Sequence, residues 1–251
     1  MSYPGVVRIL FLLVLIPAWV FPRVSGAEGP TRSEAEGQAL AADLRALKPV
    51  ESFTNQATLR LRDAEGGVRR LPLTIVNRVS DAPSWEVTYA AGGPKPETLT
   101  LIRTPDRPPE YRVARGGEAA AGASSGSADS ARAFAGSDFT LRELGLEFLH
   151  WPGQRIVPRS PPPMKKGQPC KILESTHPQA PGYTRVVSWV SIEHNGLMLA
   201  DAYDASGRIV KRFSIGSLKK VDGVWQLRDM EMIDEVRGTE TKLEFELKTR
   251  E

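Results

Sequence analysis

The sequence holds a single cysteine, Cys170, and three dispersed histidines, His150, His177 and His194. No internal disulfide can form, and a Cys/His zinc cluster lacks its ligands. Lys and Arg never run beyond pairs such as Arg69-Arg70, Lys165-Lys166 and Lys219-Lys220, so the basic tract that neutralises phosphates is missing and no nucleic acid is expected as a partner. The 22 glycines and 20 prolines follow no repeat, which excludes a collagen-like chain. With 41% hydrophobic and 25% charged residues the composition is that of a folded protein, not a disordered one.

What is present begins with a segment outside any fold. Arg8 precedes an apolar run, Ile9–Ile16, that extends through Val20 and Phe21 and ends at Ser25-Gly26-Ala27. Small residues at Ser25 and Ala27 suit cleavage after Ala27, so residues 1–27 read as an export signal. The run is short for a bilayer core of roughly 30 Å, and Pro17 interrupts it. Cleavage removes Arg8 and Arg23 and no acid, leaving 31 basic against 30 acidic residues, so much of the apparent basicity belongs to the signal. The first mature residue would be Glu28 and not a cysteine, so the chain is not expected to be acylated itself. Residues 28–251 are long enough to bury one sizeable core, and the expectation is a single-domain monomer.

Ser33 to Leu47 reads as a helix, with Leu40, Leu44 and Leu47 on one stripe and Pro49 as its stop. Thr31 with Glu34, or Ser33 with Glu36, has capping-box spacing. From there to Val113 the apolar period is two. Leu59 and Leu61, Leu71, Leu73 and Ile75, then Trp85, Val87 and Tyr89 alternate with polar neighbours, as strands with one buried face require. Residues 114–133 are rich in Gly, Ala and Ser and read as a flexible loop. Residues 134–149 read as a short helical segment. Beyond the Pro161-Pro162-Pro163 run, a meander follows: 183–193 and 197–203 flank Asn195-Gly196, a strong hairpin signal, and further strands end with 239–248. A parity shift between Trp225/Leu227 and Met230/Met232 predicts a bulge. The fold class is mainly β (α+β), a large curved antiparallel sheet of about ten or eleven strands with helical elements against it.

No catalytic constellation stands out. Gly122-Ala123-Ser124-Ser125-Gly126 matches the nucleophile pattern G-x-S-x-G, but it lies in the low-complexity loop without the strand-to-helix turn that pattern needs. His177 and His194 sit beside turn residues, and Asp201 and Asp204 flank Tyr203 near a turn. Cys170 precedes Ile172-Leu173 and reads as a small buried apolar residue. The chain is read as non-enzymatic, without cofactor or metal.

The C-terminal half carries a resemblance. Phe134-Ala135-Gly136-Ser137-Asp138-Phe139-Thr140, Gly167 to Ser175 with Cys170, Tyr183 with Val187-Ser188-Trp189-Val190, and Tyr203-Asp204-Ala205-Ser206-Gly207-Arg208 resemble successive steps of outer-membrane lipoprotein-sorting proteins, the LolA-like superfamily. Gly223-Val224-Trp225 to Met230-Glu231-Met232 is similar to that family's closing strands. The resemblance spans residues 134–248 in register and implies an incomplete barrel with helices over its concave face. It further implies a periplasmic carrier of lipid or lipoprotein acyl chains, served by inner- or outer-membrane transport proteins. A periplasmic binding or stress-sensor module on the same scaffold is the alternative. The apolar cavity would be lined by Leu59, Leu61, Leu73, Ile75, Trp85, Val87 and Tyr89, with Trp189, Phe213, Trp225 and Leu227. Leu40, Leu44 and Leu47 would form the underside of a lid helix.

Overall fold

The structure is a computed structural model that describes residues 29–116, 124–125, 130–221 and 224–247. The signal segment therefore lies outside the described residues, as does most of the Gly122–Gly126 pattern. Helix α1 (Arg32–Arg45) starts where Thr31 predicts: the Thr31 N–H donates to Glu34 Oε2 at 2.7 Å and the Glu34 N–H to Thr31 Oγ1 at 3.3 Å. Its inward stripe is Gly37, Leu40, Ala41 and Leu44.

An antiparallel meander follows, made of β1 (Phe53–Arg62), β2 (Val68–Val79), β3 (Trp85–Ala91), β4 (Glu97–Thr104), β5 (Arg107–Arg115) and the two-residue β6 (Ser124–Ser125). Ala114 and Arg115 thus complete a strand, and Ser124–Ser125 lies along its outer side, so residues 114–133 are not a loop throughout. The 134–149 stretch is not one helix either. It contains a single turn, α2 (Leu141–Leu144), and a 3-10 turn (Glu147–His150), separated by Leu146 at φ +54°.

The second meander comprises β7 (Gly153–Ile156), β8 (Met164–Lys165), β9 (Gln168–Thr176), β10 (Arg185–Ser191), β11 (Leu197–Tyr203), β12 (Ile209–Ile215), β15 (Asp229–Asp234) and β16 (Thr239–Phe245). Between its last members, β13 (Leu218–Val221) and β14 (Val224–Leu227) form a separate two-stranded hairpin. The expected bulge near residue 228 is therefore a change of sheet. Strand β1 pairs with β16 from Ala57↔Phe245 to Arg62↔Glu240, which joins the two meanders into one sheet of fourteen strands. That is more than the ten or eleven expected, because strands as short as β6, β7 and β8 have no readable period. The sheet curves and is not closed: its path ends at β6 and β7, an incomplete barrel.

The concave face carries two cores. One packs Leu59, Leu73, Leu99 and Leu101 of the first meander under Phe134, Phe139 and Leu141 of residues 130–150, the segment that crosses from the first meander to the second. The other packs Leu173, Val186 and Val190 under Leu40 and Leu44 of α1 and Phe148 and Trp151. Each fully buried Leu or Phe contributes on the order of 1.5–3 kcal/mol. Phe213 on β12 packs against both cores.

Candidate functional site

Where the two cores meet they leave a cavity of about 230 Å³. Its floor is the sheet: Tyr89 on β3, Val186 on β10, Ala200 and Ala202 on β11, Phe213 on β12 and Met232 on β15. Its roof is the crossing segment, through Phe139, Leu144, Leu146 and Phe148, with Tyr183 at one side. The space has a simple local cause. Ala200 and Ala202 face inward at successive inward positions of β11, and Ser188 opposite Ala200 is as small, whereas Val186, Lys211 and Phe213 around them are larger, so these short side chains leave space beneath the roof.

Three charged side chains also reach this wall: Arg103, Glu143 and Lys211. Lys211 and Glu143 are a pair, with Lys211 Nζ 3.0 Å from Glu143 Oε2. Lys211 Nζ donates again to the Asp138 carbonyl at 2.6 Å, and Glu143 Oε2 accepts from the Thr140 N–H at 2.7 Å. Arg103 lies over the Trp85 ring, its guanidinium carbon 5.4 Å from the ring centroid. Burial lowers the Arg103 pKa from its ordinary value. Burial likewise raises the Tyr183 hydroxyl well above its ordinary value, with the Glu143 carboxylate adding to the effect, so this phenol stays protonated.

The roof is tied down by Asp138, which is 4% exposed. Its Oδ1 accepts from Arg237 at 2.7 Å and from Thr239 Oγ1 at 2.5 Å, and its Oδ2 accepts from Thr241 Oγ1 at 2.8 Å. The Asp138 N–H donates to Thr241 Oγ1, also at 2.8 Å. These bonds clamp the crossing segment onto β16 and explain physically why an acid stands in the Phe134–Thr140 motif. Among the described residues no group of three or more His, Cys, Asp or Glu side chains is placed to hold a metal ion.

Residues 124–249, half of the chain, match the model of a family described as Uncharacterized protein-like. The chain belongs to that family. Its fold recurs in a DUF1329 family protein from Desulfovibrio piger, with a TM-score of 0.67 at 19% identity over 86% of this chain and 92% of that one. A domain assigned to outer membrane lipoprotein sorting, from Vibrio parahaemolyticus, gives 0.66 at 16% identity over 85% and 92%. A LolA superfamily protein from Nitrosomonas europaea gives 0.52 at 14% identity over 88% and 95%. At such identities the likeness establishes the fold alone: this family member shares its architecture with those three proteins. No curated protein matches the chain.

Within this family member the structure sorts the residues singled out by pattern. Tyr89 and Phe213 line the cavity. Leu59, Leu61, Leu73, Ile75, Trp85 and Val87 lie on the concave face, packed in the first core and away from the cavity wall. Trp189 belongs to the other face: Val186, Ser188 and Val190 turn inward and Trp189 is out of phase with them, covered by Lys165 Nζ at 4.9 Å from its ring. Leu227 and the backbone of Trp225 lie on the separate β13–β14 hairpin, off the sheet that forms the floor, and the Trp225 side chain lies outside the described residues. Leu40 and Leu44 are buried under α1 in the second core, whereas Leu47 lies past the helix end and is 50% exposed. Pattern reading missed Ala200, Ala202 and Arg103. For Arg103 a signal existed, since it continues the inward phase of Leu99 and Leu101 as a charge at the opposite end of the strand from Glu97, which is paired.

Proposed function

We propose that the chain is a non-catalytic periplasmic carrier that shelters an acyl chain in the cavity between its two cores. The observation that carries this reading is the cavity itself, apolar on floor and roof and set between a continuous sheet and a separately anchored covering segment. Each methylene moved into it from water contributes about 0.8 kcal/mol, so such a protein binds its cargo without any reactive group. At about 230 Å³ the space is smaller than the roughly 300–1,000 Å³ of ordinary ligand pockets, so a long chain enters by displacing the roof. The left-handed residues Ala135, Gly136 and Leu146 bracket that roof and mark where its backbone turns. An export signal at residues 1–27 and the LolA-type architecture support the periplasmic assignment and handover through membrane transport proteins.

The test is mass spectrometry of material extracted from the chain after gentle purification from a bacterial periplasm. Lipid or acylated peptide in stoichiometric amount is expected, and Ala200→Phe, which fills the floor, should emerge without it. A wild-type protein that comes out empty and takes up no fluorescent acyl probe would overturn the carrier reading and favour a protein partner.

A further inference from the structure

The three charged groups on the cavity wall are not equivalent. Lys211 and Glu143 neutralise each other at 3.0 Å, but Arg103 makes no ion pair and no hydrogen bond among the described residues. Its place in the strand forces it inward: Leu99 and Leu101 on the same face are fully buried, and Trp85 sits directly opposite on β3. The guanidinium stacks on that ring by one face, which leaves its five N–H donors unused. A charge held against an apolar wall without a counterion is only partly compensated by water, so an anion that reaches it gains a charge-assisted contact.

The surroundings reinforce the sign. Arg45, near the same end of the cavity roof, spends its donors on neutral acceptors, the Pro105 carbonyl at 2.8 Å and the Leu149 carbonyl at 2.7 Å. His150 is held down to about 4 by burial and by the charges of Arg45 and Arg103. The carboxylate at that end, Glu147, accepts from the Tyr111 hydroxyl at 3.0 Å, so the two arginines outnumber it without any protonated imidazole. Tyr89, on the cavity wall with its ring 6.2 Å from that of Phe134, keeps its phenol proton because burial raises its pKa, and it is a further donor.

We propose that the cavity ligand is an acyl chain ending in a single anionic head, carboxylate or phosphate, held by Arg103 while the chain runs over Ala200, Ala202 and Phe213. This rests on the carrier reading and adds the charge of the cargo to it. A lipoprotein acyl chain linked only through esters and amides would leave Arg103 unpaired; a free fatty acid or a phosphate-headed single-chain lipid would not.

The test is displacement of a fluorescent acyl probe from the full mature chain by three ligands of one chain length: hexadecanol, palmitate and hexadecyl phosphate. At least about tenfold tighter binding of an anionic ligand over hexadecanol is expected, the yield of a charge-assisted contact. The better of the two anions names the head. Arg103→Met should bring all three to within about twofold of hexadecanol, while Arg103→Lys keeps part of the preference. Equal binding of the three by the wild-type protein overturns the anion inference and leaves the carrier reading standing. An equal loss of all three in Arg103→Met, with hexadecanol included, assigns Arg103 to packing on Trp85 and overturns it too. Failure of all three to displace or bind, hexadecanol included, overturns both.

Discussion

Replacing Asp138 tests the claim that the roof is a clamped and separable element. Its carboxylate is 4% exposed and accepts from Arg237, Thr239 and Thr241, all on or just before β16. Asp138→Ala removes the acceptor of two hydroxyls and one of the two carboxylates that hold Arg237. Deleting one member of a buried ionic network ranges over about 3–5 kcal/mol. Arg237 keeps Asp234 at 2.9 Å and is half exposed, so the lower end applies, about 3 kcal/mol. For a chain of this size each kcal/mol moves the melting temperature by roughly 2–4 °C, so a fall of about 6–12 °C is expected by calorimetry. Asp138→Asn keeps the shape and one acceptor oxygen and should fall by about a third to a half of that. Hydrogen exchange should rise first in residues 130–146 and leave β9 to β11 protected. If Asp138→Ala melts within about 2 °C of the parent, or exchange rises evenly over the sheet, the clamp does not exist.

Three further outcomes follow from the geometry. Gly37→Ala, a better helix former by about 1 kcal/mol, should nevertheless destabilise by roughly 1–3 kcal/mol in urea melts, because a Cβ there would meet the Arg155 backbone at distances down to 2.4 Å. His150 has its pKa lowered from 6.5 to about 4, so the unfolded chain takes up a proton that the folded one refuses over that window. Stability from this group is then complete above pH 6.5 and is lost as pH falls towards 4, and His150→Gln should flatten the pH dependence between them. Ala200→Phe should exclude the acyl probe while shifting stability by less than about 1–3 kcal/mol, and unchanged uptake would place the ligand elsewhere.

The strands of the first meander were legible because one face is buried and one is wet, so β1 to β4 alternate cleanly. The start of α1 was legible through Thr31 and Glu34, and the β10–β11 turn through Asn195, which has φ +48°. Trp189 was misplaced because β10 is apolar on both faces: Val186 and Val190 point into the core while Trp189 is covered outside by Lys165. Period two then gives the alternation but not which face is inside. The β1–β16 pairing joins residues as far apart as Ala57 and Phe245, and no local signal specifies it. The cavity was illegible for a related reason. Large apolar residues mark where a core is filled, whereas a void is set by small ones, and Ala200 and Ala202 look unremarkable until Phe213 and the roof are placed around them.

The division into two cores bears directly on how such a cavity could open. The first core closes over Phe134 and Phe139, the second over Leu40, Leu44 and Phe148, and each has its own cover. Parting the cover at the seam exposes the wall residues there, chiefly Phe213, which both cores share, Leu144 of the first and Leu146 beside the second, and leaves Leu59, Leu99, Leu173 and Val190 buried. The free energy of opening therefore scales with the seam and not with the core, a few apolar side chains at about 25 cal/mol per Å² exposed. An entering acyl chain re-covers the same surface, so opening and loading offset one another. A protein with one undivided core over the same sheet could not part its cover without losing the packing that holds it folded.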